Sequence, residues 1–134
     1  MTAAELATAA EGLVGTRFRL HGRDPATGLD CLGVLAAALA GAGREVNLPT
    51  GYTLRLTELS QWLPEPVKAG FAEAVPPFEP GDVVLLRPSA AQVHLVIAGH
   101  NGWVHAHAGL RRVVRHPEKP FGEVLHHWRL IPQT

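Results

Sequence analysis

The chain has 134 residues, 46% of them hydrophobic, which is enough for one domain with a core of its own. Twelve basic and twelve acidic residues give a formal net charge of zero, which argues against nonspecific nucleic-acid binding. The single cysteine excludes an intrachain disulfide, so nothing here requires an oxidising compartment. No apolar stretch reaches the length of a transmembrane helix. We therefore expect one domain over residues 1–134, with no nucleic-acid partner and no membrane segment.

Two helices are predicted in the first third of the chain. The first covers residues 3–14 and begins with a capping box formed by Thr2 and Glu5. The second runs from Cys31 to about residue 42, where the sequence Gly-Ala-Gly is typical of a helix end. Residues 15–30 between them contain several glycines and a proline, which predicts a loop.

The remainder of the chain is predicted to be mostly strands. Residues 46–52 are a predicted connector, and residues 56–63 a predicted short helix that is followed by two prolines. Strands are then predicted at residues 71–75, 82–87, 92–98, 103–108, 111–115 and 126–131. Helices first and antiparallel strands afterwards predict an α+β fold, in which the helix that carries Cys31 packs on the C-terminal sheet.

The only cysteine stands where the predicted loop becomes the second helix, in the sequence Gly-Leu-Asp-Cys-Leu-Gly-Val. Asp30 is a predicted N-cap, and a helix N-terminus favours negative charge. These features predict that Cys31 is a reactive thiolate with a pKa below the ordinary value of about 8.5. The alternative is a small buried hydrophobic residue at the start of a helix.

Several histidines follow on two predicted strands joined by an Asn-Gly turn. If Ala98 pairs with Trp103, then His94 lies opposite His107 and diagonal to His105. Diagonal neighbours on one face of a sheet are within reach of long side chains. The spacing therefore offers a histidine general base and a second imidazole that orients it, which are the partners that a cysteine nucleophile needs.

Taken in order, these segments resemble the NlpC family of papain-like cell-wall peptidases, and more closely its short phage-tail and gene-transfer-agent members. The resemblance rests on the sequences GLDCLGV at 28–34, GDVVLL at 81–86, VHLVI at 93–97 and VHA at 104–106. It implies a papain-like fold and a catalytic triad of Cys31, His94 and His105. It also implies hydrolysis of the peptide stem of peptidoglycan, typically between D-glutamate and a diamino acid. No cofactor and no metal are expected.

Four further residues are predicted to bind substrate or to serve the oxyanion hole: Asp30, Leu32, Phe18 and His107. The start of the second helix supplies N–H donors for an oxyanion. The chain departs from the family pattern at two of these positions. Phe18 stands where many members have tyrosine, and Leu32 stands where many have serine. These departures affect rate and substrate choice more than the triad.

Two alternatives remain open at this point. The first is a structural tail-tip or assembly protein that uses the same fold without hydrolysis. The second is a zinc-binding domain, because His105 and His107 form a His-x-His pair to which His94 could add a third nitrogen. One of the adjacent His126 and His127 near the C-terminus points outward by alternation, and this pair is therefore predicted to be solvated surface.

The first residues also suggest a location. They carry two glutamates and no basic residue, unlike a secretory signal. A wall-cutting enzyme that is not secreted needs another route to its substrate, and the likeness to phage-tail members supplies one. We therefore expect phage-tail or tail-tip proteins as partners, with the chain cytoplasmic before assembly and then part of a virion or phage-like particle.

Overall fold

The computed structural model describes residues 1–44, 70–90 and 92–132, so the predicted connector at 46–52 and helix at 56–63 lie outside it. Helix α1 covers Ala3–Glu11 and helix α2 covers Cys31–Gly41, which confirms both predicted helices. The hydroxyl of Thr2 caps α1 by accepting the N–H of Glu5, as the capping box predicts. Neither helix, nor any other among the described residues, is long and apolar enough to cross a membrane.

An antiparallel sheet of six strands forms the second half of the molecule, and its strand order is β3-β8-β4-β5-β6-β7. A ribbon of two very short strands, β1 and β2, precedes it and was not predicted. Among the described residues, the eight strands are β1 Arg23–Asp24, β2 Gly28–Leu29, β3 Phe71–Glu73, β4 Val83–Ser89, β5 Gln92–Ala98, β6 Trp103–His107, β7 Arg112–His116 and β8 Glu123–Leu130. All six predicted strands are present with ends shifted by a few residues, and the predicted α+β fold is confirmed.

The β1–β2 ribbon is joined to the edge of the large sheet by residues 15–18. The N–H of Phe18 donates to the carbonyl of Arg111, and the N–H of Leu29 donates to the carbonyl of Arg17. Backbone hydrogen bonds therefore run from β7 through this segment to β2, which ends two residues before Cys31. The loop that leads to the cysteine is fixed to the sheet rather than detached from it.

The central strands of the sheet carry apolar side chains on both faces, so other parts of the chain pack on each face and bury them. One face packs against the helices and forms the main core with alternate residues of β4, β5 and β6 and with Trp128. The opposite face, here called the far face, carries a smaller cluster of Val84, Leu86 and Val96, against which Phe78 and Trp103 pack. The predicted packing of the cysteine-bearing helix on the sheet is confirmed.

A buried polar cluster lies on the far face around Asp82, which is fully buried. Its carboxylate accepts hydrogen bonds from Nε2 of His127 at 2.5 Å and from Nε and Nη2 of Arg129 at 2.9 Å. Burial raises the pKa of Asp82, but these donors and the N–H of Glu79 outweigh it and hold that pKa below its ordinary value. The prediction that His127 is solvated is wrong, because Phe78 covers its ring at a centroid distance of 4.7 Å.

Candidate active site

Cys31 is the first residue of α2, as predicted, and Asp30 caps the helix. Asp30 Oδ1 accepts the N–H of Gly33 at 2.8 Å and a hydrogen bond from Nη1 of Arg23 at 3.1 Å. Asp30 Oδ2 accepts the N–H of His21 at 2.8 Å. One buried carboxylate thus fixes both the helix start and the preceding loop, so Asp30 positions Cys31 and its oxygens face protein donors.

Two glycines allow the loop to pass closely over the start of α2. A Cβ on Gly33 would lie 2.1 Å from the carbonyl oxygen of Gly22, and a Cβ on Gly22 would lie 2.1 Å from that of Gly28. No side chain fits at these positions. The glycines that flank the cysteine in the sequence are therefore required by close backbone packing.

The thiol is buried, with Cys31 only 2% exposed. Its sulfur accepts hydrogen bonds from the N–H groups of Leu95 and Leu32, which lower its pKa. Burial has the larger effect and, together with the negative charge of Asp30, raises the pKa of Cys31 to about 12. The predicted low thiol pKa is therefore wrong, because desolvation outweighs the favourable field of the helix N-terminus, and the thiol is protonated at neutral pH.

The two predicted catalytic histidines are in direct contact. Nε2 of His94 lies 2.9 Å from Nδ1 of His105, and the rings meet nearly edge-on at a centroid distance of 5.0 Å. The pairing of Ala98 with Trp103 is present, which confirms the predicted register. It places His105 diagonal to His94, so the turn geometry produces the contact that the sequence analysis expects.

Both imidazoles are neutral at neutral pH. Burial, followed by the neighbouring positive charges of His105 and His107, lowers the pKa of His94 to about 4. Burial and the charges of His107 and His116 lower the pKa of His105 to about 4. A neutral His94 has a ring nitrogen free of its proton, as a general base requires.

The hydrogen bond between the rings links the proton positions of the two imidazoles, and a general-base role for His94 requires one particular arrangement. For Nδ1 of His94 to accept a proton, its Nε2 must carry one and donate it to Nδ1 of His105. The proton of neutral His105 is then on its own Nε2. That atom is buried and has no hydrogen-bond partner among the residues that the structure describes.

The thiol approaches the imidazole pair at strand β5. Its sulfur reaches the N–H of Leu95, the residue that follows His94, from the helix side of the sheet. By alternation with Val96, the side chain of His94 points toward the far face. The structure therefore brings the two imidazoles into contact through the hydrogen bond of His94 to His105. It brings the thiol to the peptide bond between His94 and Leu95.

The remaining predicted site residues have different environments. The side chain of Leu32 lies in the main core, and that of Phe18, which is half-buried, packs against this core. His107 is exposed, its ring centroid lies 5.9 Å from that of His105, and its Nδ1 accepts the N–H of Leu110 at 3.0 Å. Of the four, His107 alone presents its side chain beside the imidazole pair.

The zinc alternative receives no support from residues 1–44, 70–90 and 92–132. Among them, no group of three or more His, Cys, Asp or Glu side chains is arranged to hold a metal ion. In the His94–His105 contact, Nε2 of His94 and Nδ1 of His105 face each other at 2.9 Å, so these two nitrogens cannot both bind one ion.

Comparison with known proteins supports the fold. No family model matches the sequence, and no curated protein matches it. Among solved structures, the chain is similar to the crystal structure of the NlpC/p60 domain of the peptidoglycan hydrolase SagA. The TM-score is 0.56 at 19% identity, over 98% of this chain and all of that one. The fold is therefore the papain-like α+β fold of NlpC/p60 domains, as the sequence resemblance implies.

Proposed function

We propose that this chain is a cysteine peptidase that cleaves the peptide stems of peptidoglycan, at the bond between D-glutamate and a diamino acid. One observation carries the proposal: the thiol at the start of α2 meets β5 beside a hydrogen-bonded pair of neutral histidines. The structure similar to this chain is a domain of a peptidoglycan hydrolase, which supports the same substrate class. The proposed roles are nucleophile for Cys31, general base for His94 and orienting residue for His105.

The reaction in this proposal starts from two neutral groups. As the sulfur of Cys31 attacks the scissile carbonyl carbon, its proton passes to Nδ1 of His94, and the resulting imidazolium keeps its Nε2 hydrogen bond to His105. The N–H of Cys31, at the start of α2, stabilises the oxyanion in this proposal, since the N–H groups of Leu32 and Gly33 donate to the sulfur and to Asp30. Because the thiol lies on the helix side of β5 and the His94 ring points toward the far face, the proposal requires substrate binding to bring the sulfur and Nδ1 of His94 within hydrogen-bond reach.

Further proton transfers by His94 complete the proposed catalytic cycle. The imidazolium of His94 protonates the leaving amine, which departs and leaves a thioester between the substrate acyl group and Cys31. His94 next takes a proton from water as that water attacks the thioester carbonyl. The second tetrahedral intermediate collapses to a carboxylic acid and the free thiol. Among the described residues, the side-chain hydrogen bond of His105 goes to His94, so its proposed role is to hold the tautomer and orientation of the base.

Incubation with purified muropeptides, followed by mass spectrometry, tests the proposal. We expect products one water heavier in sum than the substrate, cut at a single stem bond. Replacing Cys31 or His94 by Ala should reduce hydrolysis by about a hundredfold or more, and His105→Ala should reduce it less. His100→Ala is the matched control, because this exposed imidazole lies outside the pair.

Two outcomes would contradict the proposed roles. Full activity in the Cys31→Ala protein would exclude the thiol as nucleophile. A damaging His107→Ala change together with a silent His105→Ala change would show that the third residue is misassigned.

Delivery by a phage tail or phage-like particle is part of the same proposal. It is supported by the sequence resemblance to short phage-tail members and by a net charge of zero, which suits docking to protein partners better than steering to an anionic wall. The chain would be cytoplasmic until assembly and would then open the wall locally as nucleic acid enters. Particle fractionation with mass spectrometry tests this step, and protein found only outside particles would contradict it.

One observation favours a second candidate, a structural tail protein without hydrolysis. Cys31 is 2% exposed and its pKa is raised to about 12, which are the properties of an inert structural cysteine. The muropeptide assay separates the two functions. A structural protein would leave all stems intact, and its particles would assemble normally with the Cys31→Ala chain.

A further inference from the structure

A row of cationic side chains begins at the imidazole pair and crosses the sheet edge. In the β6–β7 ladder His107 lies opposite Arg112, and an antiparallel bridge places Arg112 opposite Arg17. Residues directly opposite each other in antiparallel strands point to the same face, with Cβ atoms about 5 Å apart. The side chains of His107, Arg112 and Arg17 therefore stand side by side, and all three residues are exposed.

This row is attached to both halves of the candidate site. At one end, the ring of His107 lies 5.9 Å from that of His105. At the other end, the carbonyl of Arg17 accepts the N–H of Leu29, two residues before Cys31. An anion held by the two arginines would thus be separated from His105 by His107 alone, and it would lie beside the segment that is hydrogen-bonded to the loop before Cys31.

The two arginines differ from others in the chain in their charge environment. Carboxylate partners are present for Arg23, Arg87, Arg115 and Arg129. Within the part of the chain that the structure describes, Arg17 and Arg112 have no such partner; Arg19 and Arg111 have none either, but they are not paired with each other across strands. Like charges directly opposite each other destabilise a sheet. An unneutralised guanidinium pair at this position is explained if an external anion binds there.

We propose that Arg17 and Arg112 form a subsite that binds a carboxylate of the substrate peptide. This inference rests on the proposed peptidase function, and it names the feature of the substrate that is selected. A γ-linked glutamyl residue keeps its α-carboxylate, and a diamino acid such as diaminopimelate carries carboxylates of its own. The planar guanidinium groups of arginine bind a carboxylate through two parallel hydrogen bonds. Stems whose carboxylate is converted to an amide lose this interaction.

A binding experiment that needs no turnover tests the subsite. The Cys31→Ala protein is titrated calorimetrically with a γ-D-glutamyl-diaminopimelate tripeptide and with the same tripeptide amidated at the glutamyl and diaminopimelate carboxylates. We expect the amide to bind about five- to tenfold more weakly, as for a partly exposed charge-assisted pair. Adding Arg17→Gln or Arg112→Gln should remove this preference, and Arg112→Lys should keep part of it because the charge remains but the fork is lost.

Arg115→Gln is the matched control. Arg115 lies on the same strand three residues from Arg112, so it points to the opposite face, and it pairs with Glu11 at 3.6 Å. The carboxylate preference should survive in this variant. Equal binding of acid and amide by the starting protein, or an unchanged preference in both the Arg17→Gln and Arg112→Gln proteins, would overturn the subsite.

The same peptides separate this inference from the proposed function. If the wild-type chain hydrolyses no stem but the Cys31→Ala protein prefers the acid through Arg112, the peptidase proposal fails and the carboxylate subsite stands. If the wild-type chain hydrolyses acid and amide equally well, the peptidase proposal stands and the subsite fails. Thermal unfolding of each arginine variant confirms that the fold is retained.

Discussion

Cys31 and His94, the proposed nucleophile and base, are both uncharged at neutral pH, and this sets how they respond to a change of pH. The thiol holds its proton because it is buried, and the imidazole lacks a second proton for the same reason. In a cysteine peptidase with a preformed ion pair, the thiol would instead be deprotonated and the imidazole protonated at rest. The proposed reaction therefore depends on proton transfer during attack, so the two pKa values can be tested separately.

The acid limit of activity should follow His94. Because its pKa is lowered to about 4, the imidazole stays an effective base as pH falls through its ordinary value of 6.5. We expect kcat/KM for a muropeptide to decline only near pH 4. A pH–rate profile of the free enzyme measures this directly. An acid limb centred near the ordinary histidine value would contradict it.

The rate of alkylation should report the protonation state of the Cys31 thiol. We expect the rate of iodoacetamide labelling of Cys31 to be low at neutral pH and still rising above pH 10, because the thiolate forms only near a pKa of about 12. The urea-unfolded chain is the control and should titrate near the ordinary value of about 8.5. A midpoint at or below that value in the folded protein would mean that the thiol is not desolvated.

At the scale of secondary-structure elements, the N-cap residues of the two helices, Thr2 and Asp30, can be compared by substitution. Asp30→Ala should lower the free energy of unfolding by about 2–3 kcal/mol, because it removes the cap of α2 and leaves buried donors unsatisfied. Activity should fall with it, since the same carboxylate positions the loop before Cys31. Thr2→Ala removes the exposed cap of α1 and should cost about 1 kcal/mol or less without affecting hydrolysis. Chemical denaturation and the muropeptide assay measure both; equal effects of the two changes would show that Asp30 has no special role.

Sequence predicts a helix, strand or turn well where residues close together in the chain determine it. The Asn-Gly turn sets the register of β5 and β6, and so the contact of His94 with His105 follows from sequence alone. The β1–β2 ribbon could not be predicted, because strands of two residues carry no periodicity. The burial of His127 and the high pKa of Cys31 also escape prediction. Both depend on what packs over a side chain: Phe78 in the first case and the helix–sheet interface in the second.

For the whole molecule, buried titratable groups predict acid instability in two stages. The lowered pKa values of His94 and His105 mean that their contribution to stability is complete above pH 6.5 and is lost as pH falls toward about 4. The lowered pKa of Asp82 means that its contribution is complete above its ordinary value of 3.8 and is lost below it.

Urea denaturation between pH 8 and 3 measures both stages as the free energy of unfolding. His94→Gln should flatten the upper stage and leave the lower stage unchanged. A free energy of unfolding that is constant from pH 7 to pH 4 would contradict the predicted state of the imidazoles. His126→Gln is the control; it lies on strand β8, which β4 separates from β5, and the change should leave the upper stage in place.

The segment at residues 15–18 has a consequence for solubility. Strand β7 is the last strand of the large sheet, and an uncovered last strand is a template for pairing with other chains. Here Gly15 donates to the carbonyl of Val113, and the N–H of Val113 donates to Thr16, so part of that edge is occupied from within. The same segment supports the loop that leads to Cys31. Changes that loosen it would therefore expose a strand to intermolecular association as well as weaken the site, and such variants would be lost to aggregation before they could be recovered as inactive protein.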